Sequence, residues 1–195
     1  MSITTFEQVC GSQSGFLQNS TAMSWANSAS SISQLPLDLI LAQWFAEGAA
    51  VCGTSSSVCN NPANCDSGQF TRCGSYTATG SCTVPNSSNF ANYSTGLAGA
   101  EMYANVMKAG FCSVIDAYNN PTLSTGGAEL KSFGESLGLV ISNNTYNAAY
   151  ALGVSGWDPT DEYEDSKHGG TSTVPGSFLI RIIADDNMGN LDYIA

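Results

Sequence analysis

The chain has 195 residues, enough for one domain with a sizeable core. Charged residues are only 11%, against roughly 25% in a typical soluble domain, while 27 Ser, 15 Thr and 16 Asn supply the polarity. A formal charge of −11 with only five Lys and Arg excludes a phosphate-tracking surface for nucleic acid and an attraction to anionic membranes.

In chain order, residues 4–33 read as weakly helical. Phe6, Val9 and Cys10 share a face, as do Met23, Trp25, Ala26 and Ala29, but many Ser and Asn lower the propensity. Residues 36–48, PLDLILAQWFAEG, predict the strongest helix. Pro36 suits its first turn, Asp38 lies near the positive end of its dipole, and Gly48 is a natural stop. Leu37, Ile40, Leu41, Trp44 and Phe45 form its apolar stripe. Residues at about 52–90 form a cysteine-rich insert, read as irregular or as a small β lobe. Further helices are expected over 95–110, 111–118, 127–138 and 144–153, followed by the polar acidic loop SGWDPTDEYEDSKHGGTST. Ser177 is placed as the cap of a last helix, FLIRIIADD, with a strand as the alternative there. The expected fold is mainly α (α+β), a single domain over 1–195 with the cysteine-rich lobe inserted after the strongest helix. No run of about 20 apolar residues spans a bilayer. The opening MSITTFEQVCGSQSG shows no basic and apolar leader pattern.

Seven cysteines stand at 10, 52, 59, 65, 73, 82 and 112, five of them between Cys52 and Cys82. No C-x-x-C occurs and no His lies nearby, which disfavours zinc. The segment between them has too few apolar groups to fix its own shape, so disulfides are favoured over small buried thiols. An odd count leaves at least one thiol unpaired within the chain. Disulfides imply an oxidising place of work. Without a visible export signal, release by lysis or carriage in a virus particle reconciles the two. Sequons at Asn19, Asn86, Asn92 and Asn143 are no more than chance predicts. The lone His168 excludes multi-His metal sites, and no metal or cofactor is expected.

Glu47 is the carboxylate of interest. It ends the strongest helix beside Ile40 and Trp44, on the margin of the buried stripe. Desolvation and the negative end of the helix dipole both disfavour its charged form. A general acid that keeps its proton near neutral pH needs that environment. The plain alternative is a Glu at a helix end facing water.

LILAQWFAEG, with Ala42, Gln43 and Glu47, is followed by Asn60, Asn61, Pro62 and Asn64 in NNPANC. This pairing resembles the catalytic segment of glucosaminidase-type peptidoglycan hydrolases of glycoside hydrolase family 73, in the lysozyme-like superfamily. FANYSTGLAGAEMYANVM is similar to the family's F-x-x-Y segment and next helix, placing Phe90 and Tyr93. YNAAYALGVSGWDPTDEY resembles its late tyrosine-rich segment, placing Tyr146, Trp157 and Tyr163, and FLIRIIADDNMGNLDY resembles its closing helix. The similar pieces run in family order from about residue 35 to the end. Gly48, Ala49 and Ala50 stand where the family usually continues with Ser or Thr and E-S-G-W-G.

The resemblance implies a lysozyme-like hydrolase that cuts the β-1,4 bonds of the peptidoglycan glycan strand, with Glu47 as general acid. Asp66 is the candidate second acid, or else an ordinary turn residue before Ser67-Gly68. Asn61 and Asn64 either hydrogen-bond sugar hydroxyls or shape the turn. Tyr93 is placed in the cleft, with a core aromatic as the alternative. Trp44 reads as core, and Trp157 either stacks on sugar or packs. The acidic run Asp158, Asp161, Glu162, Glu164 and Asp165 reads as a solvated loop rather than a calcium site. The expected partner is the glycan strand, with other virion or tail proteins bringing so acidic a chain to an anionic wall. The rival reading is a structural or adhesive virion protein that keeps the fold without activity.

Overall fold

A computed structural model describes residues 2–65, 69–70, 76–77, 91–157 and 163–187. The described residues are mainly helical and divide into two compact units, one up to Gly110 and one over 111–187.

The first unit opens with a 3-10 turn at Phe6–Gln8 and the helices α1 (Gln13–Gln18) and α2 (Ser20–Ser33). The weak helical stretch breaks at Asn19, whose Oδ1 accepts from the Thr21 and Ala22 amides and starts α2 afresh. Then come α3 (Leu37–Ala46), the single turn α4 (Ser55–Val58) and α5 (Gly96–Gly110). Gln69–Phe70 (β1) pairs antiparallel with Tyr76–Thr77 (β2), and no other strands pair among the described residues. Pro36 is the N-cap of α3 rather than a first-turn residue. Leu39 through Phe45 are all buried, so α3 is enclosed all round rather than along one stripe. Around it Phe6 packs against Trp25 at 5.0 Å and Trp44 at 5.5 Å, and Trp44 meets Tyr103 edge-on at 5.7 Å. Trp44 is core, as its sequence position suggests.

Helix α5 packs along α2, and it approaches the Asn60 loop where only glycine fits. A Cβ on Gly99 would lie 1.7 Å from the Asn60 carbonyl oxygen. Forcing the two backbones apart costs about 3 kcal/mol, and the better helix propensity of alanine returns about 1 kcal/mol. Gly99→Ala is therefore expected to lose about 2 kcal/mol in urea unfolding. Leu97→Ala, on an exposed position of the same helix, should lose less. Equal stability of Gly99→Ala and wild type would show that loop and helix part freely.

Cys10 and Cys52 form a disulfide that closes 42 residues of chain. Removing that loop entropy from the unfolded chain is worth about 4 kcal/mol in the chain-entropy account. Cys59 and Cys112 are also disulfide-bonded. Cys65 is a free, buried thiol. Cys73 and Cys82 lie outside the described residues.

The second unit holds α6 (Cys112–Tyr118), α7 (Thr125–Ser136), α8 (Asn143–Gly153), a 3-10 turn at Asp165–His168 and α9 (Ser177–Asn187). Helix α8 packs on α6, α7 and α9. Ser124 and Ser142 cap α7 and α8 through their hydroxyls. The FLIRII segment is helical, with Phe178, Leu179, Ile180, Ile182 and Ile183 buried. Asp165 departs from the solvated loop expected of the acidic run. It is fully buried, and its carboxylate accepts from Arg181 Nε and, at 3.1 Å, from Arg181 Nη2. The Thr171 and Ser172 amides also donate to it. Asp158, Asp161 and Glu162 lie outside the described residues. No described helix is long and apolar enough to cross a membrane.

Candidate functional site

The site is built where α3 stops. Glu47 is the C-cap, Gly48 takes the left-handed conformation at φ +82°, and the Gly48 and Ala49 amides close back on the Phe45 and Trp44 carbonyls. This Schellman ending satisfies the last carbonyls of the helix and fixes the backbone of Glu47. Thr54 holds the next segment to it, its hydroxyl lying 2.9 Å from the Gly48 carbonyl.

The NNPAN segment then returns to Glu47. Pro62 sits second in a turn closed by the Asn64 amide on the Asn61 carbonyl at 3.0 Å, a position suited to its fixed φ. Asn60 and Asn64 both adopt φ +50°, which asparagine tolerates better than most residues. The turn delivers the Asn64 side chain onto Glu47. Asn64 Nδ2 donates to Glu47 Oε2 at 3.0 Å and to the Glu47 carbonyl at 3.0 Å. Asn64 Oδ1 accepts from Ser55 at 2.5 Å and lies 3.0 Å from the Ser56 hydroxyl. Ser56 also reaches the Glu47 carbonyl. Glu47 is half-buried, neither splayed into water nor sealed inside.

The other sequence candidates divide. Asn61 is fully buried, and its Nδ2 donates to the Cys65 and Ala91 carbonyls while its Oδ1 accepts from the Cys65 amide. Its amide shapes the loop. Tyr93 is 4% exposed, its amide bonds the Cys59 carbonyl, and its carbonyl accepts from Asn60 Nδ2. Trp157 belongs to the second unit, where its half-buried ring packs 4.7 Å from Phe111. Tyr146 and Tyr163 are buried in that unit. Asp66 and Phe90 lie outside the described residues.

An interior cluster lies behind Glu47, and the residue patterns above did not anticipate it. The Tyr103 hydroxyl donates to Gln43 Oε1 at 2.7 Å, fully buried. Burial, reinforced by the nearby Glu47 charge, pushes the Cys65 thiol well above its ordinary range. Burial likewise raises the Tyr103 phenol, with added effect from Cys65 and Glu47. Cys65 is thus an inert thiol, not a nucleophile. The four-residue spacing of Gln43 and Glu47 was the one available signal, because it puts both on one helix face. Nothing in the sequence marks Tyr103, which reads only as an apolar helix position. Among the described residues no group of three or more His, Cys, Asp or Glu is placed to hold a metal ion.

Comparisons with protein-family models, with curated proteins and with solved structures give no match to this chain.

Proposed function

We propose that this protein is a lysozyme-like hydrolase of the peptidoglycan glycan strand, of glucosaminidase or muramidase type, with the cysteine-rich segment as its inserted lobe. One observation carries the reading. A single carboxyl ends an enclosed apolar helix and is gripped by the Asn64 amide from the NNPAN turn.

In the proposed reaction Glu47 protonates the glycosidic oxygen as the bond to the anomeric carbon breaks through an oxocarbenium-like state. Asn64 Nδ2 fixes the carboxyl plane through Oε2, and the transferable proton is assigned to Oε1. Ser55 and Ser56 hold the Asn64 amide in turn. Asp66 is the proposed second acid. The Cys10–Cys52 disulfide supports an extracellular or virion-associated setting.

The structural-protein reading keeps its own support. Asn61 and Tyr93 turn inward, and the Glu47 to Asn64 bond also serves as a plain loop staple. Clearing of purified cell walls separates the two. The hydrolase reading expects turbidity to fall with wild type and not with Glu47→Gln, and new reducing ends to appear on the glycan. Walls left intact by both proteins, or cleared equally by both, would remove Glu47 from catalysis.

A further inference from the structure

One polar group near Glu47 has no task in the proposed reaction. Gln43 lies one helical turn before Glu47 on α3 and is fully buried. Tyr103 donates to its Oε1, which fixes the direction of its amide. Its Nε2 is buried and has no hydrogen-bond partner among the described residues. Buried donors are nearly always paired, so one left open asks for an acceptor that arrives later. Glu47 follows Gln43 by four residues at the end of α3, and its charge acts on both Tyr103 and Cys65, so its carboxyl lies close to the cluster that holds Gln43. A Gln and a Glu four residues apart on a helix are within side-chain reach of each other.

We propose that Gln43 is a positioning residue whose Nε2 becomes the inner hydrogen-bond donor to the Glu47 carboxylate once the acid has released its proton. The inference rests on reading Glu47 as the general acid. In the step, the Glu47 O–H bond breaks, the proton goes to the glycosidic oxygen, and the electron pair stays on the carboxyl oxygen. Asn64 holds the carboxylate from one side, and Gln43 meets the new charge from the interior. No proton leaves Gln43. When water adds to the anomeric carbon, its oxygen stays there as a hydroxyl and its proton returns the carboxylate of Glu47 to the acid, so the inner bond is released and the donor is open again. An interaction made to the conjugate base and absent from the acid favours the transition state over the ground state.

Two measurements on the full chain test this. In the first, the Gln43 side-chain amide resonance, identified by its loss in Gln43→Met, is followed by NMR across pH. It should move with a titration that Glu47→Gln abolishes. In the second, Gln43→Met, which keeps volume and removes the donor, should lower kcat for wall cleavage about 10- to 100-fold, the size of a lost bond to a charged group. KM should hold. The alkaline limb of the pH profile should move up, because the carboxylate has lost a donor. A Gln43 resonance indifferent to pH overturns the proposal, as does a Gln43→Met protein with wild-type kcat and pH profile. If the wild type clears no walls, the hydrolase reading falls by that result, while the amide titration still decides the contact between Gln43 and Glu47.

Discussion

Glu47→Gln is expected to fold like the wild type and to clear cell walls at least about 100-fold more slowly, the lower range for loss of a general acid. The substitution keeps the shape of the side chain. The glutamine carbonyl can accept the same bond from Asn64 Nδ2 that Glu47 Oε2 accepts at 3.0 Å. The Schellman ending at Gly48 depends on backbone groups alone. What disappears is the transferable proton. The control is Asn64→Ala, which leaves the carboxyl in place and removes the amide that orients it. It should lose less activity than Glu47→Gln but more stability, since the Ser55 hydroxyl also loses its acceptor. Matched melting curves for Glu47→Gln and wild type, with only the wild type active, assign the loss to chemistry. An Asn64→Ala protein less active than Glu47→Gln would mean that the turn, not the acid, governs clearing.

The parts of this architecture legible in the sequence are those set by local rules. Helix α3 announces itself through its apolar run, and its end at Gly48 follows because glycine reaches φ +82° without strain. The boundary at Asn19 was not legible, because a capping asparagine in a segment full of Ser and Asn looks like any other. Buried amides mark the wider limit. Asn61 and Asn64 stand three residues apart in one turn, yet one is spent on the Cys65 and Ala91 backbone and the other reaches Glu47. Residue type gave both the capacity to bond, and only chain folding over long separations selected the partner. Asp165 is the sharpest case. Among five acidic residues in one loop it has the look of a solvated charge, and its partner Arg181 stands 16 positions away on α9.

That pair supports the second large effect. Arg181→Met is expected to destabilise the second unit by about 3–5 kcal/mol near neutral pH. Asp165 is fully buried, and Arg181 meets it through two nitrogens while its guanidinium sits 5.5 Å from the Phe133 ring centre. Methionine preserves much of the packing over Phe133 but leaves a carboxylate inside with only the Thr171 and Ser172 amides. The pH dependence gives the effect its signature. Burial pushes the Asp165 carboxyl up, yet the Arg181 bond and the Ser172 and Thr171 amides outweigh it and hold it below the usual carboxylate range. A carboxyl depressed by folding stabilises fully above its unfolded value of about 4 and loses that contribution as pH falls through the folded value. In Arg181→Met the main depressing partner is gone and burial acts against the charge, so acid relieves the variant while it weakens the wild type. The stability gap between the two should be widest near neutral pH and close as pH drops below about 4. Urea unfolding followed at the Trp157 indole, which packs on Phe111 within the same unit, reads the gap directly. A gap of constant size from neutral to acid would mean that Arg181 contributes by packing and that its charge on Asp165 is immaterial.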